Sequence, residues 1–109
     1  MFQINLRMLA RPHHEVEAVK ALRYIMIEAR GEHGCLAGRI YQDVEHPEAL
    51  CLEEDWSSEP ALRSHIRSRC FTQLLMLMET APEAPVLEIR SVSQVVGLEY
   101  IDAVRLSDN

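Results

Sequence analysis

The chain has 109 residues, of which 48% are hydrophobic and 26% are charged, and its formal net charge is −6. These values are typical of a single soluble folded domain, and the acidic balance excludes the basic surface of a nucleic-acid-binding protein. No apolar run approaches the ~20 residues that a membrane-spanning helix needs. The three cysteines form no CxxC pair and no signal-peptide pattern is present, so we expect a cytoplasmic location.

The first two elements are predicted from their hydrophobic periodicity. Residues 2 to 9 alternate between apolar and polar side chains, which predicts a strand with two unlike faces. Residues 12 to about 30 repeat apolar positions at three- and four-residue spacing, with Val16 on the predicted inward stripe. Gly31 and Gly34 are expected to end this helix.

The rest of the chain predicts three more strands and a helical region in a similar way. Residues 35 to 44 and 49 to 56 read as two strands of a hairpin, joined by a turn at residues 46 to 48. The helical region that follows is expected to come in two pieces, with a break near Ser68. Residues 86 to 96 predict an unusually long fourth strand.

This order of elements predicts an α+β fold, the split βαβ ferredoxin-like arrangement with a four-stranded antiparallel sheet. The predicted domain covers residues 1 to 97, and residues 98 to 109 form a tail with a short amphipathic helix. Several strands carry apolar residues on both faces, and helices cover only one face of such a sheet. We therefore expect a homodimer that packs sheet against sheet.

One stretch is the best candidate for a functional site. Trp56 ends a predicted strand, and Ser57 and Ser58 are suited to cap the helix that follows. His65 is expected to share the inward face of that helix with Leu62 and Ile66. The only tryptophan and an inward histidine are thus brought to one end of the sheet.

Several of these residues together resemble the antibiotic biosynthesis monooxygenase domain family, in the dimeric α+β barrel superfamily. The resemblance lies in Gly31-x-x-Gly34-Cys35, Tyr41, Glu54-x-Trp56-Ser57, Leu62-x-x-His65 and Ser68-x-x-Phe71. It implies a dimer with a cavity between sheet and helices in each subunit. It also implies oxidation of polycyclic phenols to quinones by molecular oxygen, with no metal, flavin or haem; other members act on small quinones or isomerise small phosphorylated sugars.

A haem-degrading branch of the same fold uses an asparagine, a tryptophan and a helical histidine that binds iron. Asn5 matches the asparagine, but His65 lies where that branch has its tryptophan. Leu75 occupies the position of the iron ligand, and leucine cannot coordinate iron. We therefore expect no haem.

The resemblance suggests that a phenol loses its proton and that the anion reacts with oxygen. His65 is the candidate catalytic base, because an unperturbed imidazole titrates near ~6.5. The expected substrate-binding residues surround it: Trp56 as an aromatic surface, Glu54 as a neighbour that raises the imidazole pKa, Asn5 and Tyr41 as hydrogen-bond donors, and Phe71.

Each of these residues also has a structural interpretation. His65 could simply cap or hydrogen-bond the end of a strand, and Trp56 and Glu54 could stabilise that end. Tyr41 could fill space, and Asn5 could face the dimer interface. The remaining histidines, His13, His14, His33 and His46, show no recognisable ligand spacing, so we expect no metal site.

Two functions follow from this sequence. The first is a cofactor-independent monooxygenase for a small aromatic or quinol-type substrate, in which His65 faces a water-poor hollow between helices and sheet. The alternative is a non-catalytic dimeric domain that binds a small ligand, or an isomerase of a small metabolite. A hollow filled by side chains such as Phe71 favours the non-catalytic alternative.

Overall fold

The computed structural model describes residues 1–107. Within these residues, four strands and four helices follow one another. In order they are β1 (Phe2–Leu9), α1 (Glu15–Arg30), β2 (Cys35–Gln42), β3 (Ala49–Trp56), α2 (Glu59–Ile66), α3 (Arg69–Met78), β4 (Val86–Ser91) and α4 (Leu98–Arg105). None of the helices within residues 1–107 has the length and apolar character needed to cross a bilayer.

The strands form one antiparallel sheet in the order β2-β3-β1-β4. In the central register Ile4 of β1 lies opposite Glu54 of β3 and Ile89 of β4, and Glu54 lies opposite Gly38 of β2. This order of strands and helices confirms the predicted ferredoxin-like α+β fold.

The core lies between one face of the sheet and the first three helices. Alternation in β1 directs Ile4, Leu6 and Met8 toward the helices, and all three are at most 2% exposed. They pack in one cluster with buried residues of α1 and α3, including Leu22, Met26 and Leu74. This two-layer packing is what holds α2 and α3 over the inward face of β3.

The structure corrects three predictions about the helices. Helix α1 begins at Glu15 instead of Pro12, because His13 has a positive φ of 67° that interrupts the helical conformation. Val16 is 64% exposed and does not belong to the inward stripe. Ile66 is likewise 40% exposed, since it is the last residue of α2, just before the interruption between the two helices at Ser68.

Two strands are shorter than their sequences predict. Strand β2 ends at Gln42 instead of residue 44, and β4 ends at Ser91 instead of residue 96. The neighbouring strand β1 starts at Phe2, so beyond Ser91 the ladder has almost no partner left in this chain. The tail then forms α4, while residues 108 and 109 of the predicted tail lie outside the described residues.

The second face of the sheet is open and polar. Its central side chains form hydrogen bonds along and across strands: Asn5 donates to Gln3 within β1, and Gln3 donates to Glu53 and Asp55 of β3. Arg39 pairs with the same two carboxylates at 3.3 Å. Apolar side chains lie on the same face, where Tyr41 is 47% and Val86 is 55% exposed.

Candidate functional site

His65 is held at the sheet–helix interface by the start of α2. Ser58 caps this helix, and its hydroxyl oxygen accepts a hydrogen bond of 3.3 Å from the backbone N–H of Ala61. Two helical turns from the cap, His65 faces inward with Leu62 and is only 1% exposed. The predicted inward orientation of His65 is thereby confirmed.

Both ring nitrogens of His65 lie against carboxylates. Nδ1 is 3.0 and 3.1 Å from the two carboxylate oxygens of Glu32, and Nε2 is 3.0 Å from Oε1 of Glu54. The second contact is an ion pair with poor hydrogen-bond alignment, and both His65 Nε2 and the other Glu54 oxygen, Oε2, lack an aligned partner. The result is a carboxylate–imidazole–carboxylate chain, which we call the Glu32–His65–Glu54 cluster.

Two aromatic side chains enclose the imidazole. Trp56 stacks on it with ring centroids 4.2 Å apart and an interplanar angle of 23°. Phe71 meets it edge-on with centroids 5.5 Å apart. The indole N–H of Trp56 also donates to Oε1 of Glu54 at 3.3 Å, so the tryptophan orients both members of the buried pair.

Glu32 reaches the cluster because the loop after α1 approaches α2 closely. Gly34 has a φ of +86°, and a side chain there would collide with Ala61. Its carbonyl accepts a hydrogen bond of 2.8 Å from the backbone N–H of Ser57. The loop is thus fixed to the start of α2, and Glu32, two residues earlier, lies beside His65.

The surroundings shift two pKa values. Burial alone would lower the pKa of His65, but the adjacent Glu54 and Glu32 carboxylates outweigh it, so its pKa is raised. Burial, helped by the same carboxylates, raises the pKa of Cys70 to about 12. The protonated imidazole therefore persists to a higher pH than it does in a free histidine, and Cys70 is a thiol.

The structure brings together four of the six predicted site residues and separates the other two. Glu54, Trp56 and Phe71 all contact or adjoin His65. Asn5 and Tyr41 lie on the open face of the sheet, on the far side from the imidazole. Asn5 therefore takes the alternative position facing outward, because the apolar face of β1 meets the helices.

The expected hollow next to His65 is filled by side chains. His65, Trp56, Glu54 and Phe71 are all at most 6% exposed, and none of them lines any of five surface clefts of about 250–400 Å³. Glu32 is the member of the cluster that reaches solvent, with a side chain 26% exposed. It lines a cleft of about 320 Å³ together with His33, Ser58, Pro60, Ala61 and Ser64.

The sequence did not indicate Glu32 as a site residue. It lies in a loop, where hydrophobic periodicity carries no information on the direction of a side chain. The available signal was the Gly31-x-x-Gly34 spacing, which requires a tight turn next to the strand. That turn is what directs Glu32 toward the helix that carries His65.

One group of side chains in the described residues could hold a metal ion. Ligand atoms of Glu32, His65 and Cys70 all lie within 4.8 Å of one another. A thiolate is the form of cysteine that binds metals, whereas Cys70 donates its S–H to the carbonyl of Ile25 at 3.3 Å. The arrangement is that of a packed core cysteine.

A ferredoxin-like α+β domain with a buried histidine between sheet and helices is the class that these observations define. Residues 1–75 match the model of the antibiotic biosynthesis monooxygenase family. The chain belongs to this family. No curated protein matches it.

Solved structures share the fold. A conserved protein from Methanosarcina mazei Go1 is 27% identical, with a TM-score of 0.74 over 82% of this chain and 89% of that chain. A protein from Deinococcus radiodurans, assigned to the antibiotic biosynthesis monooxygenases, is 18% identical, with a TM-score of 0.81 over 89% of this chain and 97% of that chain. Rv0793 from Mycobacterium tuberculosis is 18% identical, with a TM-score of 0.77 over 88% and 98% of the two chains.

Proposed function

We propose that the protein is a cofactor-independent monooxygenase that oxidises a small aromatic or quinol-type substrate with molecular oxygen. The observation that carries this proposal is the Glu32–His65–Glu54 cluster, which runs from a surface cleft to a fully buried carboxylate. In this scheme His65 is the base, and Glu32 connects it to the substrate.

The filled interior determines how the base is reached. A phenol in the cleft next to Glu32 gives its hydroxyl proton to that carboxylate, which passes it to Nδ1 of His65, 3.0 Å away. Glu54 stabilises the resulting imidazolium through Nε2. Trp56 and Phe71 keep water from the ring, so the charges interact more strongly than they would in solvent.

The phenolate then supplies the electrons for the reaction with oxygen. One oxygen atom of O₂ forms a bond to a ring carbon, the O–O bond breaks, and the other atom leaves as water with the two hydrogens that the ring loses. The product is a quinone, and no external reductant is consumed. Neutral His65 is regenerated when its proton joins the departing water.

Oxygen uptake tests the proposal directly. Hydroquinones and polycyclic phenols are supplied as a panel, and uptake is followed together with quinone absorbance. We expect turnover by the wild-type chain and a loss of about 100-fold or more in His65→Gln and Glu32→Gln. His46→Gln, at an exposed turn position, is the matched control. Full activity in folded His65→Gln, or no turnover across the panel, contradicts the proposal.

A second candidate is a non-catalytic domain that binds a small apolar ligand. The observation that favours it is the packing of Trp56 and Phe71 against His65, which leaves none of the five clefts next to the imidazole. A ligand of such a domain raises the melting temperature and is recovered unchanged. The same compound panel in a thermal-shift assay separates this candidate from an enzyme.

We also propose that the protein acts as a homodimer whose two sheets pack against each other through their open faces. The support is the family's fold and an open face whose own charges are already paired, as in Arg39 with Glu53 and Asp55. Sedimentation measures the mass of the assembly.

The three cysteines are free thiols, which suits the reducing cytoplasm that we expected.

A further inference from the structure

Helix α4 exposes an apolar stripe, and no residue of the helix is buried. Leu98, Ile101 and Val104 are spaced three residues apart and are 77%, 51% and 51% exposed. An isolated helix of this length is only marginally stable in water. The stripe therefore requires a surface to pack on.

The residues between β4 and α4 have strand character without a partner strand. Residues 92–96 include three valines, and their last ladder-like bond joins the N–H of Val92 to the carbonyl of Met1 at 2.8 Å. Val95 is 76% exposed. The six residues from 92 to 97 span about 20 Å when fully extended, which is enough to carry α4 onto a neighbouring molecule.

A matching surface lies at the opposite edge of the sheet. A cleft of about 400 Å³ runs between α1 and the edge strand β2, with an apolar lining that includes Met26, Ile27 and Ile40. Ile27 is 67% exposed. We call this cleft the α1–β2 groove.

The charges of the helix and the groove are complementary. The groove carries Arg23 and Arg30, while α4 carries Glu99 and Asp102 three residues apart. Arg30 is engaged with the carbonyl of Gly38 at 2.8 Å. Arg23 and Asp102 have no ion-pair partner within residues 1–107, so both are available for a contact between chains.

We propose that α4 of one chain docks in the α1–β2 groove of a second copy, and that the exchange is reciprocal. This inference rests on the proposed homodimer. A two-fold axis between the packed sheets and parallel to their strands places β4 of one chain beside β2 of the other, because these are the two edges of the order β2-β3-β1-β4. The arm that follows β4 then meets the groove of the second copy.

Charge reversal in the full-length chain tests the exchange. The dimer dissociation constant is measured by sedimentation for Arg23→Glu, Asp102→Arg and the double variant. We expect each single variant to weaken the dimer by about fivefold or more, through like-charge contact, and the double variant to recover most of the loss. Lys20→Glu, one turn away on α1 and outside the groove, is expected to leave the constant unchanged.

Each other outcome identifies a different arrangement. A wild-type monomer overturns both the homodimer and the exchange. A dimer that neither single variant weakens overturns the exchange alone, as does docking of α4 on its own chain. Weakening by Asp102→Arg without any effect of Arg23→Glu indicates pairing of α4 with α4, which also overturns docking in the groove. Oxygen uptake is measured separately, so failure of the enzymatic proposal remains distinguishable.

Discussion

Glu54 and His65 form an ion pair in the interior, with Oε1 of the carboxylate 3.0 Å from Nε2 of the imidazole and neither side chain more than 1% exposed. Burying two charges is costly unless each compensates the other. The pair is thus a demanding feature of this fold, and Trp56 holds it by stacking on one member and donating a hydrogen bond to the other.

Replacing Glu54 with alanine is expected to reduce the free energy of unfolding by about 3–5 kcal/mol, because the imidazolium then lacks its buried counter-charge. Urea unfolding measures the change. Glu83→Ala, at an exposed position in the link before β4, is the control and is expected to change stability by less than about 1 kcal/mol. Equal effects of the two substitutions contradict a buried ion pair.

The raised pKa of His65 gives stability a specific dependence on pH. The pKa of His65 in the folded state lies above the unfolded value of about 6.5. The protonated imidazole therefore stabilises the folded state fully below that pH, and this stabilisation is lost as pH rises through the folded-state pKa. Glu32→Gln removes one of the carboxylates that raise it. We expect the stability difference between wild type and this variant to be greatest below about pH 6.5 and to shrink as the pH rises through the folded-state pKa of His65.

Chemical unfolding across this range, with protein concentration held constant, measures that difference. Asp43→Asn provides a comparison, because Asp43 contacts Arg7 and lies away from His65. A difference for Glu32→Gln that grows with rising pH is the opposite sign and rules out a raised imidazole pKa.

Gly34→Ala is expected to destabilise the protein by more than about 1 kcal/mol. The residue has a φ of +86°, and its new methyl group would collide with Ala61 at the start of α2. Gly31→Ala is the matched control, because Gly31 has a helical φ of −83° and a side chain there meets only ordinary contacts. That variant is expected to be neutral or to gain about 0.4–1 kcal/mol. Thermal unfolding of both variants checks the pair, and similar losses would argue against the close loop–helix contact.

Periodicity was sufficient to predict the elements that alternate or repeat cleanly. Strand β3 spans Ala49–Trp56 as predicted, and Ser68 separates α2 from α3 because its hydroxyl caps the second helix. Alternation along β3 placed Glu54 and Trp56 on one face. The three-residue spacing of Leu62 and His65 in α2 placed His65 on the inward face of the helix, where it meets them.

Other features depend on tertiary partners that a pattern does not reveal. Residues 92–96 have strand propensity, yet the chain supplies no neighbouring strand for them, so β4 ends at Ser91. Glu32 was not predicted as a site residue, because its position depends on the close approach of Gly34 to Ala61. The filled space beside His65 likewise results from the packing of Phe71 and Trp56, which sequence spacing does not fix.

The pH dependence of oxygen uptake tests the central claim, that His65 accepts the substrate proton, most directly. With one substrate throughout, the plot of wild-type turnover rate against pH is predicted to have a rising limb above about pH 6.5, where the imidazole loses its proton. Glu54→Gln keeps an acceptor for the Trp56 N–H and removes the charge at Nε2, so its limb is predicted to move to lower pH. A limb at the same pH in both proteins would contradict the account, because the titrating group would then not be His65.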